Sequence, residues 1–149
     1  MRSAEWYCDA DVIGLGQALA RVKLPVTWPG DHGRRSHPRL DQAPSPITDP
    51  AMPDELWIPE VTRAGLTILT RDSKIMHRVA EIDAVLAAGA RMFVISGRAP
   101  MDLWEELRVV AAQWPRMLDR RHDDGPFIYS ITLTTTRRLV PVLDDDPNG

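Results

Sequence analysis

Leu66-Thr67-Ile68-Leu69-Thr70-Arg71-Asp72 is an apolar, strand-forming run that ends abruptly on two charges. β-Branched and aliphatic residues in a continuous block read as a strand buried on both faces, the habit of a parallel sheet covered by helices. The two charges then fall where the chain leaves the sheet. Gly65, just ahead of the run, suits the left-handed terminator of a helix. Residues 54–64 accordingly read as helix, although Pro59 removes an internal hydrogen bond. Towards the N-terminus, Trp6-Tyr7-Cys8 is a second short apolar run. It is followed by Asp9-Ala10-Asp11 and then by Val12, Ile13, Leu15, Leu19 and Val22 at helical spacing. This reads as strand, acidic turn, helix. Gly14 and Gly16 weaken that helix by roughly 1 kcal/mol each relative to alanine, which points to close packing against it. Val26-Thr27-Trp28 reads as a further short strand.

In the other direction, Val79, Ile82, Val85 and Leu86 form a helical stripe that stops at Gly89, and Met92-Phe93-Val94-Ile95 is a buried strand ending at Ser96-Gly97. Asp102 opens a helix with Leu103, Leu107, Val110 and Ala111 on one face, expected to end near Trp114 because Pro115 follows. Phe127-Ile128-Tyr129-Ser130-Ile131 and Leu139-Val140-Pro141-Val142, separated by Thr134-Thr135-Thr136-Arg137, read as a hairpin. The fold class is α/β: three layers, with a mostly parallel central sheet flanked by helices and a C-terminal β-hairpin. One domain is expected over residues 1–143, with a Pro-rich loop at 29–53 and an acidic tail at 144–149.

The 149 residues fit one hydrophobic core that needs neither staple nor structural metal. Eight of the 13 prolines fall between Pro25 and Pro59, concentrating irregular chain there. Eighteen basic against 21 acidic residues give a net charge of -3, which argues against holding nucleic acid by bulk charge alone and leaves local basic patches open. The lone Cys8 excludes a disulfide scaffold and a thiolate zinc site. No membrane span or signal segment is legible, so a soluble cytoplasmic protein is expected.

Ligands of open parallel sheets bind beyond the carboxyl ends of the strands, and Asp9 and Asp72 each follow such an end. Asp54, at a helix start, brings a third carboxylate to the same edge, with Asp11 and Glu55 nearby. Gathered carboxylates repel, and a divalent cation removes that cost. Oxygen-only donors select magnesium or manganese, which orient phosphodiesters and acidify water. Each acid also has an ordinary reading: Asp54 as a helix cap, Asp9 and Asp72 as turn residues. Arg71, Lys74 and Arg78 suit an RNA backbone or simply a solvated face. The same ambiguity holds for Arg34, Arg35, His37 and Arg39. His77 and His122 have no partner at ligand spacing. Cys8, buried beside Asp9, is no nucleophile. Trp57, Trp104 and Trp114 read as core residues on helices.

Cys8-Asp9-Ala10-Asp11-Val12, Pro53-Asp54-Glu55-Leu56-Trp57-Ile58-Pro59 and Leu69-Thr70-Arg71-Asp72-Ser73-Lys74-Ile75 together resemble PIN-like nuclease domains. More narrowly, they resemble the VapC-type toxin ribonucleases of the branch related to the Mut7-C group. The resemblance continues through His77-Arg78-Val79-Ala80-Glu81-Ile82 and Gly89-Ala90-Arg91-Met92 to Gly125-Pro126-Phe127-Ile128-Tyr129, most of the chain. It implies a PIN fold and a Mg2+- or Mn2+-dependent endoribonuclease. Asp9, Asp54 and Asp72 would be its catalytic metal ligands, with Asp11 in support. It also implies RNA as substrate and a cognate antitoxin as partner; a homodimer is compatible with the sequence, which leaves the oligomeric state open. Many members place another acid where this chain has Ser96. Two other readings stand beside it. A haloacid-dehalogenase-type phosphatase would use Asp9 and Asp11 but needs a carboxylate pair after a late strand, which Asp123-Asp124 does not provide. The other is an inactive PIN-like module that binds RNA or protein.

Overall fold

The computed structural model describes residues 3–35, 41–71, 79–97 and 100–140. Its strands are β1 (Trp6–Cys8), β2 (Val26–Thr27), β3 (Thr67–Thr70), β4 (Arg91–Ile95), β5 (Phe127–Ile131) and β6 (Thr136–Val140). Its helices are α1 (Ile13–Arg21), α2 (Asp54–Arg63), α3 (Val79–Ala88) and α4 (Leu103–Arg120), with a single 3-10 turn at Ala10–Val12. The strands form one sheet in the order β2-β1-β3-β4-β5-β6. All pairs are parallel except β5–β6. This is the α/β architecture with a C-terminal antiparallel pair that the uninterrupted apolar strands require.

Alternation along the strands sorts side chains into two cores. Trp6, Cys8, Leu69, Phe93, Phe127 and Tyr129 meet Leu15, Leu19, Val109, Val110 and Met117 of α1 and α4. Tyr7, Ile68, Met92, Val94 and Ile128 meet Trp57, Ile58, Val61 and Val85 of α2 and α3. Phe93 is the centre of the first: its ring lies 5.4 Å from Tyr129 and 5.6 Å from both Trp6 and Phe127. Gly16 is small for a steric reason, since a Cβ there would stand 3.1 Å from the Cys8 Cβ and 3.2 Å from the Trp28 ring. Gly14 has open space, so close packing accounts for one glycine and not the other. After α2, Gly65 takes φ +79°, and the Leu66 N–H donates to the Val61 carbonyl at 3.0 Å.

The described part of the Pro-rich segment is tied down by Asp31. Its carboxylate accepts from Thr27 Oγ1 (2.8 Å), the Gly33 N–H (2.9 Å) and Arg34 Nη1 (3.0 Å). Arg34 also donates to the Val26 carbonyl at 2.6 Å and lies over Trp28, so it is a brace of the loop. His37 and Arg39 lie outside the described residues, as does the acidic tail.

Three expectations are corrected. Helix α4 does not stop near Trp114 but runs through Pro115 to Arg120. Ala111 and Pro115 are both exposed, so the carbonyl that loses its partner faces water, while buried Met117 holds the last turns on the core. Its buried stripe is Glu106, Val109, Val110, Gln113 and Met117, which leaves Leu103, Ala111 and Trp104 outside. Strand β6 begins at Thr136 rather than Leu139, because Thr136 and Arg137 already pair with Ile131 and Ser130.

The Phe93→Ala variant should lose about 3–5 kcal/mol of stability in urea denaturation, because three other rings pack on that site. Trp104→Ala, at 67% exposure, should stay within about 0.5 kcal/mol of the parent.

Candidate functional site

The strand order reverses at β1, which has β2 on one side and β3 on the other. The crevice outside the carboxyl ends of β1 and β3 is thus the switch point of the sheet, the place where such folds bind ligands. Asp9 leaves β1 directly into it. Its Oδ2 accepts from Thr70 Oγ1 at 2.6 Å across the strand pair, and its Oδ1 accepts from the Asp11 N–H at 3.1 Å, capping the 3-10 turn. The turn reading of Asp9 is therefore satisfied, and each oxygen keeps a further lone pair. Burial pushes the Asp9 carboxyl up to about 7, against the lowering effect of the Thr70 hydroxyl, and the neighbouring charges of Asp11 and Asp54 add to the rise.

Asp54 is not the cap of α2. That position belongs to Pro53, and Asp54 is the first helical residue, where a negative charge is favoured by the helix dipole. Trp57 Nε1 donates to its Oδ1 at 2.7 Å, and the Trp57 ring lies 5.2 Å from that of Tyr7 on β1. An aromatic contact on the sheet thereby sets the start of α2 and orients a carboxylate towards the crevice. The influence of Asp54 reaches both Asp9 and the Tyr7 phenol, which burial and then Asp9 push above its ordinary range. Asp11 and Glu55 are exposed.

Arg71 follows β3 at the same edge. Its Nε lies 3.3 Å from Glu106 Oε2, and its Nη1 donates to the Met101 carbonyl. Glu106 is buried on α4, and burial raises its carboxyl while Arg71 opposes the rise. Arg71, two-thirds covered, is thus committed to an internal ion pair with part of its guanidinium at the surface. Asp72, Lys74, His77 and Arg78 lie outside the described residues. Among the described residues no three acids, histidines or cysteines gather closely enough to hold a metal ion. Ser96, where another acid was sought, accepts from Ser130 Oγ at 2.7 Å. Cys8 is fully buried, and its thiol is pushed far up by burial and by Asp9. Asp123 and Asp124 precede β5 rather than follow it, and Asp123 accepts from the Tyr129 hydroxyl at 2.6 Å.

Sequence reasoning missed Thr70, Trp57 and Glu106. Glu106 carried a signal, an acid three residues from Leu103 and four from Val110 on a helix face; Thr70 and Trp57 carried none.

The family model of the PIN-like domain matches residues 15–97, more than half of the 149. The chain belongs to the PIN-like domain family. No curated protein and no solved structure matches it. The matched span includes Asp54 and Asp72 and begins after Asp9. PIN-like domains are commonly nucleases, so this PIN-like chain has a nuclease-type fold. No described helix is long and apolar enough to cross a membrane.

The Asp9 carboxyl gives a pH signature for the metal-free PIN-like domain. Unfolded, it loses its proton near the model-peptide value of about 3.9; folded, it does so at about 7. Between those values the folded state binds the extra proton, so stability falls as pH rises, by at most about 1.4 kcal/mol per unit, and levels off above 7. Urea denaturation from pH 4 to 8 should show a steeper fall for the wild type than for Asp9→Asn, which keeps the cap but does not titrate.

Proposed function

We propose that this PIN-like domain is a ribonuclease that hydrolyses RNA phosphodiesters with a divalent cation, of the type found as toxins neutralised by a cognate antitoxin. The observation that carries the reading is Asp9 itself. A carboxylate at the switch point, pushed up to about 7 by burial and further by the charges of Asp11 and Asp54, is poorly stable as an anion without a cation. Every donor of this set is an oxygen, as magnesium and manganese prefer. Asp9, Asp54 and Asp72 would hold the ion, with Asp11 in support. When bound it would supply charge neutralisation at the phosphate and a water of lowered pKa.

The chain's own residues do the rest. Thr70 fixes the Asp9 rotamer, so the carboxylate enters the crevice already oriented. Trp57 does the same for Asp54 by occupying one oxygen and leaving the other. The Arg71–Glu106 pair ties the chain just before Asp72 to α4, and the outward part of the Arg71 guanidinium, with Lys74 and Arg78 nearby in sequence, faces the backbone of a bound strand. An antitoxin suits the same crevice: an arginine or lysine inserted among the acids would relieve their repulsion in place of the cation.

Purified chain with Mn2+ should cleave single-stranded RNA, and Asp9→Asn/Asp72→Asn should cut the rate by at least a hundredfold without unfolding the protein. Equal cleavage by the wild type and the folded double variant would assign the activity elsewhere. Calorimetry should show Mn2+ binding to the wild type at millimolar concentration and weaker binding to Asp9→Asn; no binding by the wild type would remove the metal from the reading. The toxin role is tested by growth: the chain expressed alone should slow its host, and coexpression with the antitoxin from the adjacent reading frame should restore growth. Harmless expression with intact RNA would leave an inactive binding module.

A further inference from the structure

The carboxyl edge of the sheet carries a second feature. A cavity of about 360 Å³ opens beyond the ends of β4 and β5, between the first turns of α4 and the β5–β6 turn, within the size range of small-molecule sites. Met101, Val109 and Leu133 give it an apolar lining, Ser96 adds a hydroxyl, and Glu105 and Arg108 bring opposite charges. Glu105 and Arg108 are three apart on α4, a spacing at which helical side chains meet. Among the described residues, however, they do not pair with each other or with any other charge. Among the described residues the site therefore presents a carboxylate and a guanidinium without a charged partner, side by side on the α4 wall of an apolar slot.

This cavity is linked to the acidic crevice through Arg71. The Met101 carbonyl accepts from Arg71 while the Met101 side chain lines the cavity. Glu105 lines it while Glu106, the next residue, holds Arg71. The crevice at β1 and β3 and the cavity at β4 and β5 are about two strand spacings apart, or ~10 Å, within reach of neighbouring nucleotides of one strand.

We infer that the cavity is a base-holding subsite for the RNA strand engaged at the acidic crevice, and that it takes guanine; the inference rests on the ribonuclease reading above. Guanine alone among the four bases sets two N–H donors side by side, at N1 and N2, next to two acceptors side by side, at O6 and N7. A carboxylate accepts from the first pair, and a guanidinium fork donates to the second. Adenine has no such donor pair, and the pyrimidines have no N7. The apolar walls take the faces of the ring, with the Met101 thioether a soft partner for a π surface.

The test uses the full chain with Mn2+ and two single-stranded oligouridylates, one carrying a single guanosine and the other a single adenosine. The wild type should favour the guanosine substrate at least tenfold in kcat/KM, with the cut placed at a fixed offset from the guanosine. In Arg108→Ala and in Glu105→Gln that ratio should fall by tenfold or more at an unchanged melting temperature. Cleavage with a wild-type ratio near one, or with a ratio that neither variant moves, overturns the subsite and leaves the ribonuclease reading standing. If no RNA is cut, that reading fails, and calorimetry with guanosine 5′-monophosphate judges the cavity alone. Saturable binding that weakens tenfold in Arg108→Ala upholds a guanine site, and absence of binding overturns it.

Discussion

The hydrogen bond of 2.6 Å from Thr70 to Asp9 joins residues 61 apart in sequence, at the one place where the sheet changes direction. Parallel neighbours have no tight turn to set their register, so β1 and β3 depend on matched burial and on the contacts at their ends. Thr70 is wholly buried and Asp9 half so, which makes the bond an unsatisfied hydroxyl and a misaligned carboxylate if it is lost. It also decides where the acid points. The same carboxylate caps the 3-10 turn into α1, so the exit from β1, the entry to α1 and the crevice share one side chain.

Around that bond the fold supplies two further orienting devices from opposite faces of the sheet. From one face, the tilted ring contact of Tyr7 and Trp57 sets Asp54. From the other, α4 reaches over the edge with Glu106 to engage Arg71. A buried ion pair is weak evidence for stability, because desolvation offsets most of the attraction, yet removal of one partner leaves a charge stranded beneath the site. What the pair gives is direction: it fixes the chain where it leaves β3. Ser96 and Ser130 close the next strand end with a neutral hydrogen bond, so negative charge stays concentrated at β1 and α2 instead of spreading along the edge.

The layers, the parallel sheet and the C-terminal antiparallel pair were legible in the sequence because burial on both faces leaves continuous apolar runs, as in Leu66–Thr70 and Met92–Ile95. Asp9 and Asp54 were legible as residues at a strand end and a helix start. What holds them was not, because Thr70 and Trp57 act across the tertiary structure and look like ordinary strand and helix residues. Pro115 misled in the other direction. Local chemistry argued for a stop, and the burial of Met117 two residues later outweighed it, at a site where the freed carbonyl meets water. Trp104 misled for a related reason: helical spacing gives a face only when its phase is known, and Glu106 shifts the buried stripe so that Trp104 falls outside it.

On the ribonuclease reading, a net charge of -3 constrains how the protein would engage a polyanion. Attraction from afar would be weak, and charged phosphate contacts would come from local cations, of which Arg71 is already partly consumed by Glu106. With few counterions to release, binding energy that bulk charge supplies in basic nucleases must come from elsewhere. A cation at the acids contributes at one phosphate only. Contacts to bases are the remaining source, and these carry sequence preference with them. On the ribonuclease reading, the acidic balance of the chain and the cavity beside Arg108 are thus linked: a nuclease that does not hold RNA by charge holds it by shape and hydrogen bonds, and in doing so selects where it cuts.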